Sequence, residues 1–435
     1  MLSAHELSPV QGSECAEGWN LVTRIAKYHD VTVLYASGSQ FAPDAYESAV
    51  NNWINKTGNP DNIQFIAVPQ PKTTLWLAGI NKRISKRNSS IGFPPLYYLG
   101  YRLWQKAAYR KALSILEPFD LVHHLTSITF REPGYLWKLP IPFVWGPTGG
   151  LEKAPLKFAA KMGLGTLLTE AARTFINSIT FSFNGRIRKA IHKSKLIYSF
   201  SIHDQKRFHN KGAADVKVML DAGCLSSGLP VSPVSPVSTS SRLKILWCGQ
   251  LIKRKALDIL LKALAGDPFL EENVEITIIG DGPLYKHYEQ LARKLITDNR
   301  QPITVTFTGL LARDQVFNYM RSSDVLVHTS YREATSNVIA EALSCGLPVI
   351  CHDISGMSIA IDESCGIKIP LRSYDESVIG FRNAIKAILL SSRQKSGSEL
   401  VIGLREGAAR RSSHLSWDTM AAQISNDYLE IVAAK

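Results

Sequence analysis

Short β-branched runs alternate with amphipathic stretches along most of the chain, at the spacing of strand–helix repeats. Residues 1–4 read as the tail of a buried strand. A loop with Gly12 follows, then an amphipathic helix with Trp19, Leu21, Val22, Ile25 and Ala26 on one side, then the strand Val31–Tyr35. A β-α-β unit of this kind puts its loop at the carboxyl edge of a parallel sheet. Further strands are expected at Phe119–Thr126, from Ile141, at Lys195–Ser199 and at Val216–Leu220. The second half repeats the pattern from Leu243, Val274, Ile303, Val325, Val349 and Gly366, and a last helix runs from Trp417 through Ile424, Tyr428 and Ile431. Between the halves, residues 221–241 repeat Ser-Pro-Val, which sustains neither a helix nor a central strand. The pattern predicts an α/β protein with two Rossmann-like doubly wound domains: residues 1–220, a linker 221–241, residues 242–414, and a helix 415–435 that crosses back to the first domain.

Length and charge sharpen this division. A chain of 435 residues exceeds one ordinary core. The net charge of +13 sits almost wholly in residues 1–240, which hold 27 Lys/Arg against 15 Asp/Glu. Residues 81–111 and 157–195 mix cations with exposed-pattern aromatics and aliphatics. They read either as helices with solvated cationic faces or as surfaces for an anionic membrane. No nucleic-acid module is recognisable, so nucleic acid is not an expected partner. Six cysteines without Cys-x-x-Cys spacing, no apolar run long enough to span a membrane and no signal peptide give the expectation of a cytoplasmic protein, peripheral on the inner membrane face at most.

The chemistry concentrates in residues 329–350. Glu333 lies in a loop, Thr335-Ser336-Asn337 suits an N-cap, Glu341 lies one turn into a short apolar helix, and Gly346 and Pro348 end it. The free amides of Ser336, Asn337 and Val338 make a seat for a phosphate, and Glu341 is placed to accept from a ribose diol. An ordinary capped helix with solvated acids is the plain alternative. Elsewhere, His123 and His124 lie near a strand end, where a histidine is usually a satisfied structural residue; adjacent residues face opposite ways, so one at most lines an open site, and His124, nearer the loop, is preferred to His123. Gly146–Gly150 form a turn without bulky side chains, whose amides are open to a ligand or merely structural. Lys253-Arg254-Lys255 follow a strand's carboxyl end, where a diphosphate needs cations, and the backbone up to Leu311 is placed to bracket a nucleobase.

These segments together resemble the GT-B glycosyltransferases of family 4, in a subgroup associated with bacterial surface polysaccharides. Residues 333–341 resemble the family's Glu-x7-Glu signature, and Gly12-Ser13-Glu14 with Gly18-Trp19 its opening loop. Asp120-x-x-His123-His124-x-Thr126 resembles the strand that presents a histidine to the transferred sugar, and Gly146-Pro147-x-Gly149-Gly150 a ligand loop. Residues 249–255 are similar to Gly-Arg-Leu-x-x-x-Lys, with Lys255 in the lysine position and Gln250 where the arginine would stand.

The resemblance implies a GT-B fold whose domains face each other across a cleft, and a retaining transfer of a sugar from a nucleoside-diphosphate sugar to a polysaccharide or lipid-linked glycan. It implies catalytic roles for His124 and Glu333. It implies donor binding by Gly12, Ser13, Gly149, Gly150, Gln250, Lys255, Leu311, Ser336, Asn337, Val338 and Glu341. No cofactor or metal is expected, since cations and a helix dipole replace one. A donor-binding protein without activity and a sugar-nucleotide epimerase are the alternatives.

Overall fold

The computed structural model describes residues 1–84, 92–115, 118–225, 242–296, 303–393 and 398–434. Lys86 and Arg87 of the basic segment, and nearly all of the Ser-Pro-Val linker, lie outside these. The chain forms two compact units. The first comprises Met1–Glu152, Phe175–Ala222 and Trp417–Lys435; the second comprises Lys153–Thr174 and Gly223–Ser416.

The first unit is built on seven parallel strands: β1 (Leu2–Ala4), β2 (Val31–Ala36), β3 (Ile63–Val68), β4 (Val122–Thr126), β5 (Phe143–Thr148), β6 (Ser194–Ser199) and β7 (Val216–Val218). Their order is β3-β2-β1-β4-β5-β6-β7. β2, β4 and β5 are buried along their whole length, as strands covered on both faces must be. The strand Ile63–Val68 and the helix Ala45–Thr57 before it were not among the expected elements. The helix Trp417–Ala433 packs on the helix Glu14–Ile25: Asp418 pairs with Arg24 at 3.3 Å and Lys27 at 2.6 Å, and Ser425 bonds His29 at 2.8 Å.

The second unit has six parallel strands: β8 (Leu243–Cys248), β9 (Val274–Ile279), β10 (Thr304–Gly309), β11 (Val325–His328), β12 (Val349–His352) and β13 (Gly366–Ile369), ordered β10-β9-β8-β11-β12-β13. In both sheets the strand order reverses beside the first strand, between β1 and β4 and between β8 and β11. Open parallel sheets hold their ligands at that point, outside the carboxyl ends of the strands.

One boundary differs from expectation, because residues 153–174 go with the second unit. Phe158 is fully buried there against Tyr331, Tyr374 and His352, and Glu170 pairs with Arg332 at 2.5 Å. Burying a phenylalanine contributes about 2 kcal/mol, and its partners lie 173 or more positions away, out of reach of any local pattern.

Backbone bonds stitch the loops at the carboxyl edge of β8, β9 and β10 together. Gly249 N–H donates to Ile279, Leu251 N–H to Asp281 and Gly280 N–H to Gly309, at 2.9–3.0 Å. Gly280 has φ +134°, and a Cβ there would lie 2.0 Å from the Gly249 carbonyl oxygen. Gly280→Ala is therefore expected to destabilise the second unit by about 2–4 kcal/mol, read as a lowered denaturant midpoint; an unchanged midpoint would show that these loops are not close-packed.

Candidate functional site

The loops that leave β8 and β11 meet at the reversal point of the second sheet. Trp247, buried in β8, donates its indole N–H to Thr329 Oγ1 at 3.1 Å, and that hydroxyl donates to the Lys255 carbonyl at 2.8 Å. Tyr331 N–H donates to the Arg254 carbonyl at 3.1 Å, and Ser330 Oγ lies at the same distance from that carbonyl. The two loops are thereby zipped edge to edge, which brings Arg254 and Lys255 onto Glu333.

Glu333 Oε2 accepts from Lys255 Nζ at 2.5 Å, Arg254 Nη1 at 2.7 Å and Ser330 Oγ at 3.1 Å, with His328 Nε2 at 3.9 Å. None of these bonds uses Oε1. Burial pushes the Glu333 carboxyl upward, but Lys255, His328 and Arg254 outweigh it and hold the group well below the usual carboxylate range. Burial lowers the Lys255 ammonium from its ordinary value, and Glu333 opposes this. His328 is held down to about 4, first by burial and then by Lys255, so it is neutral at pH 7. Two cations and one carboxylate leave the cluster a net charge of +1.

The helix Asn337–Ser344 starts four residues beyond Glu333. Its N-cap, Ser336, adopts φ 79° and makes no side-chain cap bond, contrary to the expected Thr-Ser-Asn capping. First-turn amides have no acceptor within a helix, and those of Asn337 and Val338 lie on the positive end of the helix dipole. The helix stops as expected, with Gly346 at φ 64° and Leu347 N–H donating to the Ala342 carbonyl at 2.9 Å. Glu341, one turn into the helix, reaches Arg313 Nη2 at 3.3 Å; burial raises its carboxyl against the pull of Arg313. Leu311 lies half-buried in the loop between β10 and the helix Arg313–Ser322 that carries this arginine.

Gln250 is exposed in the β8 loop. Of the cations that follow it, Arg254 turns to Glu333, while Lys253 points to Thr166 Oγ1 at 3.5 Å. Arg254 was one member of a triplet in the sequence; Arg313 and His328 gave no signal at all, since their partners are fixed only by strand order.

The first unit treats its expected residues differently. Gly12 and Ser13 are exposed at the carboxyl end of β1, and a Cβ on Gly12 would meet nothing within 4 Å. Ser13, at φ 58°, precedes the helix Glu14–Ile25 without a side-chain cap bond, as Ser336 does in the second unit. The amides of the glycine turn, which the family resemblance would leave open to a ligand, are engaged: Gly149 N–H donates to Ile128 at 3.0 Å, and Gly150 and Leu151 N–H donate to Asp204 Oδ2 at 2.6 and 3.0 Å.

The two histidines face opposite ways, as alternation requires. His123 Nε2 bonds the Gly146 carbonyl at 2.6 Å and Nδ1 bonds Tyr428 Oη, a structural role. His124 is wholly buried, with neither ring nitrogen bonded, and Gly134 packs so closely that a Cβ there would sit 3.2 Å from Nδ1. Burial takes its pKa to about 3. The expectation of a histidine open to a sugar is not met in this structure, because the segment carrying Gly134 covers it.

A groove of about 990 Å³ lies at the opposite, amino-terminal edge of the first sheet, lined by Met1, Tyr28, Asp30, Asn62, Asp120 and Tyr428. Open parallel sheets hold ligands at the carboxyl edge instead, which in the second sheet is where Arg254, Lys255 and Glu333 converge.

Residues 242–389, which contain the whole cluster, match the family described as Glycosyl transferases group 1. The D-inositol 3-phosphate glycosyltransferase of Streptomyces bingchenggensis is 31% identical over 192 residues, a match that spans 42% of this chain and 40% of that protein. Among solved structures, sucrose-phosphate synthase from Thermosynechococcus elongatus superposes with a TM-score of 0.60 at 15% identity, over 100% of this chain and 99% of that one. HepE of Anabaena, in complex with UDP and glucose, does so with a TM-score of 0.53 at 17% identity, over 99% of each. The chain thus has the GT-B fold, with two Rossmann-like units, and carries over residues 242–389 a domain that matches the group 1 glycosyl transferases.

Proposed function

We propose that the chain is a glycosyltransferase that moves a sugar, with retention of anomeric configuration, from a nucleoside-diphosphate sugar to a polysaccharide or lipid-linked glycan acceptor. The observation that carries the reading is the Arg254–Lys255–Glu333 cluster at the reversal point of the second sheet. Lys255 and Arg254, with the Asn337 and Val338 amides, neutralise the departing diphosphate. This is electrostatic stabilisation aimed at charge that develops in the transition state. Glu333 Oε1 accepts from a hydroxyl of the transferred sugar while Oε2 keeps the two cations in place. Glu341, held by Arg313, accepts from the ribose hydroxyls.

Thermal unfolding of the purified chain with UDP-, GDP- and ADP-sugars tests this. One of the three is expected to raise the transition by several degrees at saturating ligand, and the same donor should yield transferred sugar with a glycan extract. A donor that stabilises without any turnover would make the chain a binding protein, and conversion of the donor into an epimeric nucleotide sugar would make it an epimerase. Stabilisation by none would remove the proposal.

A further inference from the structure

The helix Leu164–Phe183 ends in the first unit with apolar residues on its outward side as well as its inward one. Asn177 and Phe181, four residues apart, face inward. Asn177 donates to the Gly150 carbonyl at 3.1 Å, and Phe181 packs edge-on against Phe130 at 5.7 Å and Phe208 at 5.6 Å. That fixes the rotation of the helix. At about 100° per residue, Phe175, Ile176, Ile179 and Phe183 then fall within one arc of about 100° on the other side. They are 66%, 56%, 44% and 82% exposed. Four large apolar side chains on one continuous outward arc are more than the scattered exposure any surface shows.

Cations border this arc. Lys211 Nζ donates to the Ser182 carbonyl at 2.8 Å, next to Phe183, and Arg188 and Lys189 are exposed in the following helix, Gly185–Lys193. Residues 175–217 contain nine Lys/Arg and two Asp/Glu, and one of those two, Asp204, is buried under the glycine turn. A second copy of the chain seated on this face through a two-fold axis would bring the cationic border against itself, which like charges oppose. An anionic lipid surface complements both parts. Among the described residues no helix is long and apolar enough to cross a membrane.

We propose that this face docks on an anionic lipid surface, with Phe175, Ile176, Ile179 and Phe183 entering the headgroup–acyl boundary and Lys211, Arg188 and Lys189 lying against lipid phosphates. The proposal does not depend on the donor site. It narrows the two basic, apolar segments seen in the sequence to a single face. Phe181 and Arg186 drop out of it, the first because it is core and the second because it pairs with Glu132 at 2.6 Å.

Co-sedimentation of the full chain with sucrose-loaded vesicles tests it. Vesicles of phosphatidylcholine with one third phosphatidylglycerol should pellet the chain, phosphatidylcholine alone should not, and raising salt from about 0.1 to about 0.5 M should release it. The pair Phe175→Ser and Phe183→Ser should lower partitioning about tenfold or more, and the pair Arg188→Glu and Lys189→Glu should erase the preference for the anionic lipid. These side chains are exposed, so both double variants should keep the unfolding midpoint and the donor-induced shift of the parent. Pelleting that ignores lipid charge, or that neither pair alters, would overturn the proposal. So would a parent dimer that the phenylalanine pair splits while vesicle binding stays intact.

Discussion

Lys255→Ala and Glu333→Gln are expected to lower sugar transfer by about a hundredfold to a thousandfold each, yet to part company in their affinity for the bare nucleoside diphosphate. Lys255→Ala takes the cluster from a net charge of +1 to zero, so the diphosphate binds about tenfold or more weakly. Glu333→Gln takes it to +2 while keeping an oxygen that can accept from Lys255 Nζ, so the diphosphate binds as well as before or more tightly. Transfer still falls, because the group that meets the sugar has lost its charge. Calorimetric titration of UDP, GDP and ADP, beside a transfer assay, reads both quantities. Removing Lys255 also leaves a largely buried carboxylate with one cation fewer, at a cost of about 3 kcal/mol. Lys255→Arg separates that cost from binding, because it keeps a cation beside Glu333. Equal affinities in Lys255→Ala and the parent would show that the lysine meets no phosphate.

The second large effect is on acid stability. His352 lies buried at the end of β12, with Nδ1 3.0 Å from the Ser330 carbonyl, Nε2 3.0 Å from Ser377 Oγ, and its ring edge-on to Phe381 at 4.9 Å. A carbonyl only accepts, so Nδ1 carries the proton of the neutral ring and ties down the residue whose hydroxyl bonds Glu333. Burial lowers the folded pKa to about 4, whereas an unfolded histidine titrates near 6.5. Above pH 6.5 neither state binds the proton. As pH falls from there towards 4 the unfolded chain takes it up first, and stability falls by about 1.4 kcal/mol per unit. His352→Gln, which offers a donor and an acceptor without titrating, should therefore flatten the pH dependence of the second unit's stability by about 2 kcal/mol between pH 6.5 and 5. The carboxylates Glu341 and Asp324, raised by burial, push the other way. They are common to both proteins and cancel in the difference. Parallel pH profiles for the two proteins would contradict a buried neutral His352.

Much of this was legible in the chain because parallel sheets covered on both faces write themselves as apolar runs. Such runs betrayed the cores of both sheets, and glycine and proline marked their edges. The strand Ile63–Val68 is harder to read, although three of its six residues are β-branched. It is the sheet's edge strand, only partly buried, and polar residues on both sides weaken the period. What the pattern could not carry is long-range commitment. Gly149 and Gly150 look like an open turn until Asp204, more than fifty residues on, accepts from the amides there. His123 and His124 alternate as predicted, but their burial depends on Tyr428 and on the segment around Gly134. Gln250 reads as a lost cation until the zipped loops turn Arg254 inward. Helix ends and charge neighbours are local facts; which amides stay free is a tertiary one.

The most direct measurement is a crystal structure of the chain with the nucleoside diphosphate that stabilises it. The β-phosphate should lie within about 3 Å of the Asn337 or Val338 amide nitrogen and of Lys255 Nζ, with the ribose on Glu341. A nucleotide seated at the amino-terminal edge of the first sheet, or a helix tip at Ser336 that stays covered by protein in the complex, would contradict the account.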